Sequence, residues 1–137
     1  MLPLTLCACG TTQKGASGDE SARLAIQRTL AGLEEGLRAE MWQSVKPYIA
    51  RDYPGGTLEL RSNLEDMWAN TDVLSIRFVL NTVLARDGAY NAQVRWFKKY
   101  LDGSGKPKKA EGTAELVLRP AGDHMRVEMI HGESFLE

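Results

Sequence analysis

The residue types that most often perform chemistry are scarce in this sequence. Its two histidines, His124 and His131, have no cysteine or paired carboxylate at the spacing of a metal site. Its two cysteines, Cys7 and Cys9, both stand at the very start, so the rest of the chain has no thiolate and no disulfide. The sequence therefore predicts no metal site and no cofactor, while the Cys-x-Cys pair itself allows an oxidisable or metal-binding terminus.

Acid–base catalysis would need a carboxylate or histidine whose pKa is tuned by apolar surroundings. The strand-like segments carry their acidic residues in turns or on the polar face, which leaves Glu65 and Asp66 of a helix as candidates. Their position is more typical of a solvated helix face. His131 shares the parity of Met129 and could point inward, although a hydrogen-bonded rim histidine is the favoured interpretation. We therefore expect no catalytic residue and a non-catalytic role.

Length and composition bound the class of protein. The 137 residues favour one domain, and 43% hydrophobic with 26% charged residues is typical of a globular protein. Seventeen basic residues against eighteen acidic ones give a net charge of −1, so no nucleic-acid partner is expected. No apolar run is long enough to cross a membrane as a helix.

The elements that must position any site begin with three predicted helices. Residues 19–37 place apolar side chains at spacings of three and four residues. A short helix is expected over residues 44–51, with Pro47 in its first turn. After the break at residues 53–56, Thr57 caps a third helix whose apolar face includes Trp68.

Four strands follow, because the apolar period changes to two after Asp72. Asp87-Gly88 predicts a tight hairpin between the first two strands. The side chains expected on the apolar faces of the first, second and fourth strands are Leu74, Ile76, Phe78, Leu80, Thr82 and Leu84, then Tyr90, Ala92, Val94 and Trp96, then Met125, Val127 and Met129. The prediction is an α+β fold with three N-terminal helices packed on a strongly curved four-stranded antiparallel sheet.

This order of elements resembles the nuclear transport factor two-like (SnoaL-like, steroid-isomerase) superfamily over residues 20–136. The resemblance is carried by the long first helix, the segment from Tyr48 to Tyr53, the Trp68 helix and the closing segment 126–136. It implies a cone fold with an apolar pocket beneath the sheet, for a small apolar ligand. The residues expected to line that pocket are Trp68, Phe78, Tyr90, Trp96, Met129 and His131. A filled core is the equal alternative, and a cystatin-like fold with one main helix is the nearest competing architecture.

The resemblance also leaves the function open. A SnoaL-type isomerase, dehydratase or hydrolase is one alternative, and an envelope assembly component that docks through its sheet is another. A homodimer through the helix-free face of the sheet is expected from the same resemblance. That face would present Arg77, Asn81, Gln93, Arg95 and Phe97.

The start of the chain, Leu6-Cys7-Ala8-Cys9, resembles the lipobox of bacterial lipoproteins. The resemblance implies that residues 1–8 are the remainder of a signal peptide and that Cys9 is lipidated. Residues 9–18 would form a flexible tether, and residues 19–137 the folded domain. No basic residue precedes Cys9, so further leader sequence upstream is expected. The expected location is the bacterial cell envelope, with a lipid-anchored domain facing the periplasm or the cell exterior.

Basic residues concentrate around one predicted hairpin, from Arg95 to Lys109, where Asp102 is the single acid near the turn. The six are Arg95, Lys98, Lys99, Lys106, Lys108 and Lys109. A solvated hairpin tip is the usual meaning of such a run, and contact with an anionic membrane or partner is the alternative.

Overall fold

A computed structural model describes residues 2–136 of the chain, with side chains from residue 20 onward. The helices are α1 (Leu2–Ala39), α2 (Trp42–Val45) and α3 (Thr57–Asn70), with a single 3₁₀ turn over Lys46–Tyr48. The strands are β1 (Asp72–Arg86), β2 (Ala89–Leu101), β3 (Pro107–Ala121) and β4 (His124–Gly132). The predicted signal remnant, the tether and the lipidation of Cys9 lie outside the described side chains. No helix of the described residues is long and apolar enough to span a bilayer.

The four strands form one antiparallel sheet in the order β1-β2-β3-β4, and the helices cover one of its faces. This confirms the predicted α+β architecture and the Asp87-Gly88 hairpin, whose two residues have φ of 51° and 78° as a tight hairpin turn requires. The core lies between α1, α3 and the helix-facing side of the sheet. Its fully enclosed members include Ile26, Leu33, Leu64, Val94, Leu116 and Val127.

Strand β1 departs from the predicted alternation at two places. Its pairing with β2 skips Leu74 and then Asn81, as it does at β-bulges. Leu74 is therefore 51% exposed, and Thr82 and Leu84 are exposed as well. The prediction that these three side chains share the apolar face is wrong, because each extra residue reverses the face of those that follow.

Strand β4 has the same kind of irregularity. Leu118 pairs with Val127, but Val117 pairs with Met129, so Glu128 is the extra residue. Val127 is buried, whereas Met129 is 38% exposed. The prediction that Met129 faces the core is therefore wrong.

Helix α1 covers the free edge of β1. A Glu34 carboxylate oxygen accepts a hydrogen bond from the backbone N–H of Phe78 at 2.8 Å. A Glu40 carboxylate oxygen accepts one from the N–H of Val73 at 2.9 Å. These bonds satisfy donors that an edge strand otherwise presents to a second chain.

Candidate functional site

The helix-facing side of the sheet is filled by the C-terminal end of the described chain. Phe135 is 1% exposed and its ring meets that of Phe78 edge-on, at 4.6 Å between centroids. The indole N–H of Trp96 donates to the backbone oxygen of Glu133 at 2.8 Å. Gly112 makes this approach possible, because a Cβ there would lie 2.7 Å from the Trp96 ring. We call residues 133–136 the tail; its side chains Phe135 and Leu136 are part of the core, whereas Glu133 is exposed.

The six side chains predicted to line one pocket divide into four that belong to or pack against the core and two that line a cavity at its edge. Trp68 and Trp96 are buried in the core, and Phe78 packs on the tail. Half-buried Tyr90 borders a separate recess beside the start of the described part of α1. Only Met129 and His131 lie next to each other around one cavity.

That cavity is a groove of about 470 Å³ between α3, the turn that precedes it, and the end of β4 with the tail. Its floor consists of the buried side chains Leu60 and Leu136 with half-buried Ile130. The remaining lining residues form a mostly polar rim: Tyr53, Pro54, Glu59, Asn63, Met129, His131 and Ser134. We call this cavity the groove.

The turn before α3 sets the position of the groove's rim. The N–H of Gly56 donates to the oxygen of Tyr53 at 2.8 Å, and Gly55 and Gly56 have φ of 87° and 89°. Only glycine adopts such angles readily, so the Gly-Gly pair directs the chain into α3. Glu59 and Asn63, four residues apart, then lie on the same side of the helix and both line the groove.

The chemistry of the groove is that of a binding site with an apolar floor and a polar rim. A carboxylate, an amide, an imidazole and a hydroxyl surround the opening, from Glu59, Asn63, His131 and Ser134. Such a combination suits a small ligand with an apolar body and a polar end. Among the residues that the structure describes, no group of histidine, cysteine and carboxylate side chains could hold a metal ion. In the same described part of the chain, the helix-facing side of the sheet carries no carboxylate.

One charged side chain does lie on that inner side, although its place in the basic run predicts an exposed position. Lys98 is 7% exposed, so it does not belong to the exposed basic hairpin. Its ammonium lies 3.3 Å from the sulfur of Met67 and 5.2 Å from the centre of the Tyr100 ring. Burial lowers the pKa of Lys98, and the nearby Glu40 carboxylate partly opposes this. Lys98 follows Val94 and Trp96 at alternate positions of β2, and this spacing predicts that it lies on the same, inner face.

The outer face of the sheet presents an aromatic ring between two cations. The guanidinium carbons of Arg77 and Arg95 lie 5.6 and 5.2 Å from the centre of the Phe97 ring. Arg95 also lies 3.6 Å from a Glu111 oxygen. Arg77, Asn81, Gln93 and Arg95 are exposed and Phe97 is half-buried. The dimer through this face stays a prediction.

No protein-family model and no curated protein matches this sequence. Solved structures do resemble it. A conserved protein from Planctomyces limnophilus superposes with a TM-score of 0.68 at 14% identity, over 81% of this chain and 97% of that one. A ketosteroid isomerase-like protein from Erwinia carotovora gives 0.65 at 11% identity, over 78% and 91%. A nuclear transport factor two-like superfamily protein from Salmonella enterica gives 0.67 at 10% identity, over 86% and 92%. These likenesses show the fold, and they confirm the predicted cone architecture.

Proposed function

We propose that this chain is a non-catalytic binding domain whose groove takes a small ligand with an apolar body and a polar end. The observation that carries the proposal is the tail. Phe135 and Leu136 occupy the inside of the cone, and Leu136 also forms part of the groove's floor. A ligand therefore binds against the tail at the mouth of the cone rather than beneath the sheet.

The alternative is an acid–base enzyme, because the Erwinia carotovora neighbour is described as a ketosteroid isomerase-like protein. The candidates from the sequence do not favour it, since Glu65 and Asp66 are exposed on α3 and Glu65 bonds to Arg61 at 3.3 Å. Within the groove, Glu59 and His131 are the titratable pair that an enzyme would use. Turnover of a bound ester or ketosteroid that is lost in both Glu59→Gln and His131→Gln would replace the binding proposal.

The groove is tested with N-phenylnaphthylamine, a fluorescent probe with an apolar body and one polar N–H. Met129→Lys places a charged chain at the groove's edge, and we expect it to weaken probe binding about ten-fold, or about 1.4 kcal/mol. Met129 is 38% exposed, so the fold tolerates the change. The matched control is Leu84→Lys, at an exposed apolar residue on the outer side of β1 and away from the groove. Equal effects of the two changes, or no saturable binding, would refute the proposal.

We also propose that the domain is held at a bacterial envelope membrane through lipid attached to Cys9. The lipobox-like run Leu6-Cys7-Ala8-Cys9 supports this. Several acyl chains on one cysteine hold a protein stably, whereas a single chain holds it reversibly. In cells that make the full precursor, Cys9→Ser should move the protein to the soluble fraction, and Cys7→Ser should leave it in the membrane. A Cys9→Ser protein that stays in the membrane fraction would exclude the anchor.

A further inference from the structure

A second recess, of about 360 Å³, collects positive charge on the side of the molecule where the 3₁₀ turn meets β4. Three cations line it, Lys46, Arg51 and Arg126, together with the amide of Gln43 and the residue that begins α3, Thr57. None of the described residues that line this recess is acidic. We call it the cationic recess.

The backbone brings these cations together. Ile49 forms a parallel bridge with Val127, and the N–H of Ala50 donates to the oxygen of Val127 at 3.0 Å. The segment that carries Arg51 therefore lies along the outer edge of β4, beside Arg126. The two arginines also share an adjoining smaller recess. The geometry holds the charges close although like charges repel.

Among the described residues, none of the three cations of the recess has an ion-pair partner. The Nε atom of Arg126 is buried and has no hydrogen-bond partner among the described residues. A buried donor without an acceptor costs about 1–3 kcal/mol, so such donors usually have a partner. Within the described chain, neither Lys46 nor Arg51 forms an ion pair.

The smaller recess that adjoins the cationic recess does contain acidic side chains. Asp52 and Glu128 line the adjoining smaller recess, and Glu128 accepts a hydrogen bond from Arg119 Nε at 2.7 Å. Glu128 is therefore already matched with a cation, which leaves Asp52 against three positive charges. The sum of charges around the cationic recess favours an anion.

The start of α3 adds to the same preference. The N-cap residue Gly56 provides no side-chain cap for this 14-residue helix, and Thr57, the first helical residue, lies in the wall of the recess. The first backbone N–H groups of a helix carry partial positive charge and often bind anions. Glu59 in the first turn opposes this effect, but its side chain lines the groove instead.

We propose that the cationic recess binds a phosphate group, as inorganic phosphate or as the phosphomonoester end of a larger molecule. Two guanidinium groups suit the paired oxygens of phosphate better than a compact ammonium does. Three cations also suit a dianion better than a monoanionic carboxylate. This site is separate from the groove, since the two cavities share no lining residue.

The test is a titration of the whole chain with inorganic phosphate and with phenyl phosphate, followed by NMR at constant ionic strength. We expect saturable shifts at the amides around Arg51, Thr57 and Arg126. Arg51→Gln and Arg126→Gln should each weaken binding about ten-fold. Arg51 is exposed, so its variant remains informative if Arg126→Gln does not fold. Arg86→Gln, at an exposed arginine at the far end of β1, is the matched control and should bind normally.

The source of the phosphate is distinguished with vesicles. Binding to phosphatidic acid vesicles, but not to phosphatidylcholine vesicles, with loss in Arg51→Gln, would identify a lipid headgroup. Binding of phenyl phosphate without vesicle binding would identify a soluble phosphomonoester. Both results support a phosphate site. The proposal is overturned if phosphate does not saturate, if acetate binds equally well, or if Arg86→Gln weakens binding as much as Arg51→Gln does.

Discussion

At the scale of single residues, Lys98 shows how an inner strand position tolerates a charge. Its neighbours Met67 and Tyr100 offer a polarisable sulfur and an aromatic face rather than a full hydrogen-bond set. Glu40 supplies the nearby negative charge, but its carboxylate also accepts the N–H of Val73. Burial therefore destabilises the charged form of Lys98 by more than these partners stabilise it, which is why the pKa of Lys98 falls.

The lowered pKa has a consequence for stability. The folded state releases the Lys98 proton at a lower pH than the unfolded chain, whose lysine has a pKa near 10.5. Between those two pKa values the unfolded state binds more protons, so the free energy of unfolding rises with pH. The cost of burying the charge is thus fully present at neutral pH and is relieved in alkaline solution.

Lys98→Met tests this directly. It should raise the free energy of unfolding by about 1 kcal/mol at neutral pH, and the gain should shrink as the pH approaches the pKa of unfolded lysine. Urea denaturation at neutral and alkaline pH measures the effect. The control is Lys99→Met, at the exposed neighbour on the other side of β2, whose stability change should not vary with pH. A pH-independent difference in both variants would contradict the argument.

At the scale of elements, the type and order of the helices and strands could be predicted from the sequence, but the sheet face of several side chains could not. The helices, the four strands and the hairpin at Asp87 were evident because their apolar periods are long and regular. The faces of Thr82, Leu84 and Met129 were not, because a bulge adds a residue without leaving a clear mark on the pattern. These bulges also curve the sheet. The sequence thus predicted a curved sheet but not the bulges that curve it.

Two glycines of α1 are the sequence signal for the close approach of the next helical segment. Gly32 and Gly36 are one turn apart on α1, and a Cβ at Gly32 would overlap the ring of Tyr48. A Cβ at Gly36 would lie 2.9 Å from Val45. Paired small residues on one helix face let a second segment approach closely, and here they admit α2 and the 3₁₀ turn. The predicted helix over residues 44–51 is in fact four residues of α2 followed by that turn.

At the scale of the whole molecule, the tail decides whether the cone is hollow. The sequence left a pocket and a filled core as equal alternatives, because Trp68, Phe78 and Trp96 suit both. The deciding residues were Phe135 and Leu136, which follow Gly132 by only a few positions. Gly132 has a φ of 94°, and this turn returns the chain to the inner side of the sheet. Such a long-range contact leaves no periodic signal.

Phe135→Ala tests whether the tail belongs to the core. Removing a buried phenylalanine commonly costs about 3–5 kcal/mol, from lost burial and from the cavity left behind. We expect about 3 kcal/mol here, measured by urea denaturation. The cavity would border the Phe78 ring and be apolar, and such cavities bind small aromatic molecules. Toluene should therefore restore part of the lost stability.

Leu58→Ala is the matched control for Phe135→Ala, because Leu58 is also a large apolar residue but is 81% exposed. Its stability should change little and should not respond to toluene, since no core space is created. If Phe135→Ala were as stable as Leu58→Ala, the tail would not be part of the folded core. The cone beneath the sheet would then be available to ligands, and the binding site would move from the groove to the space that the tail occupies.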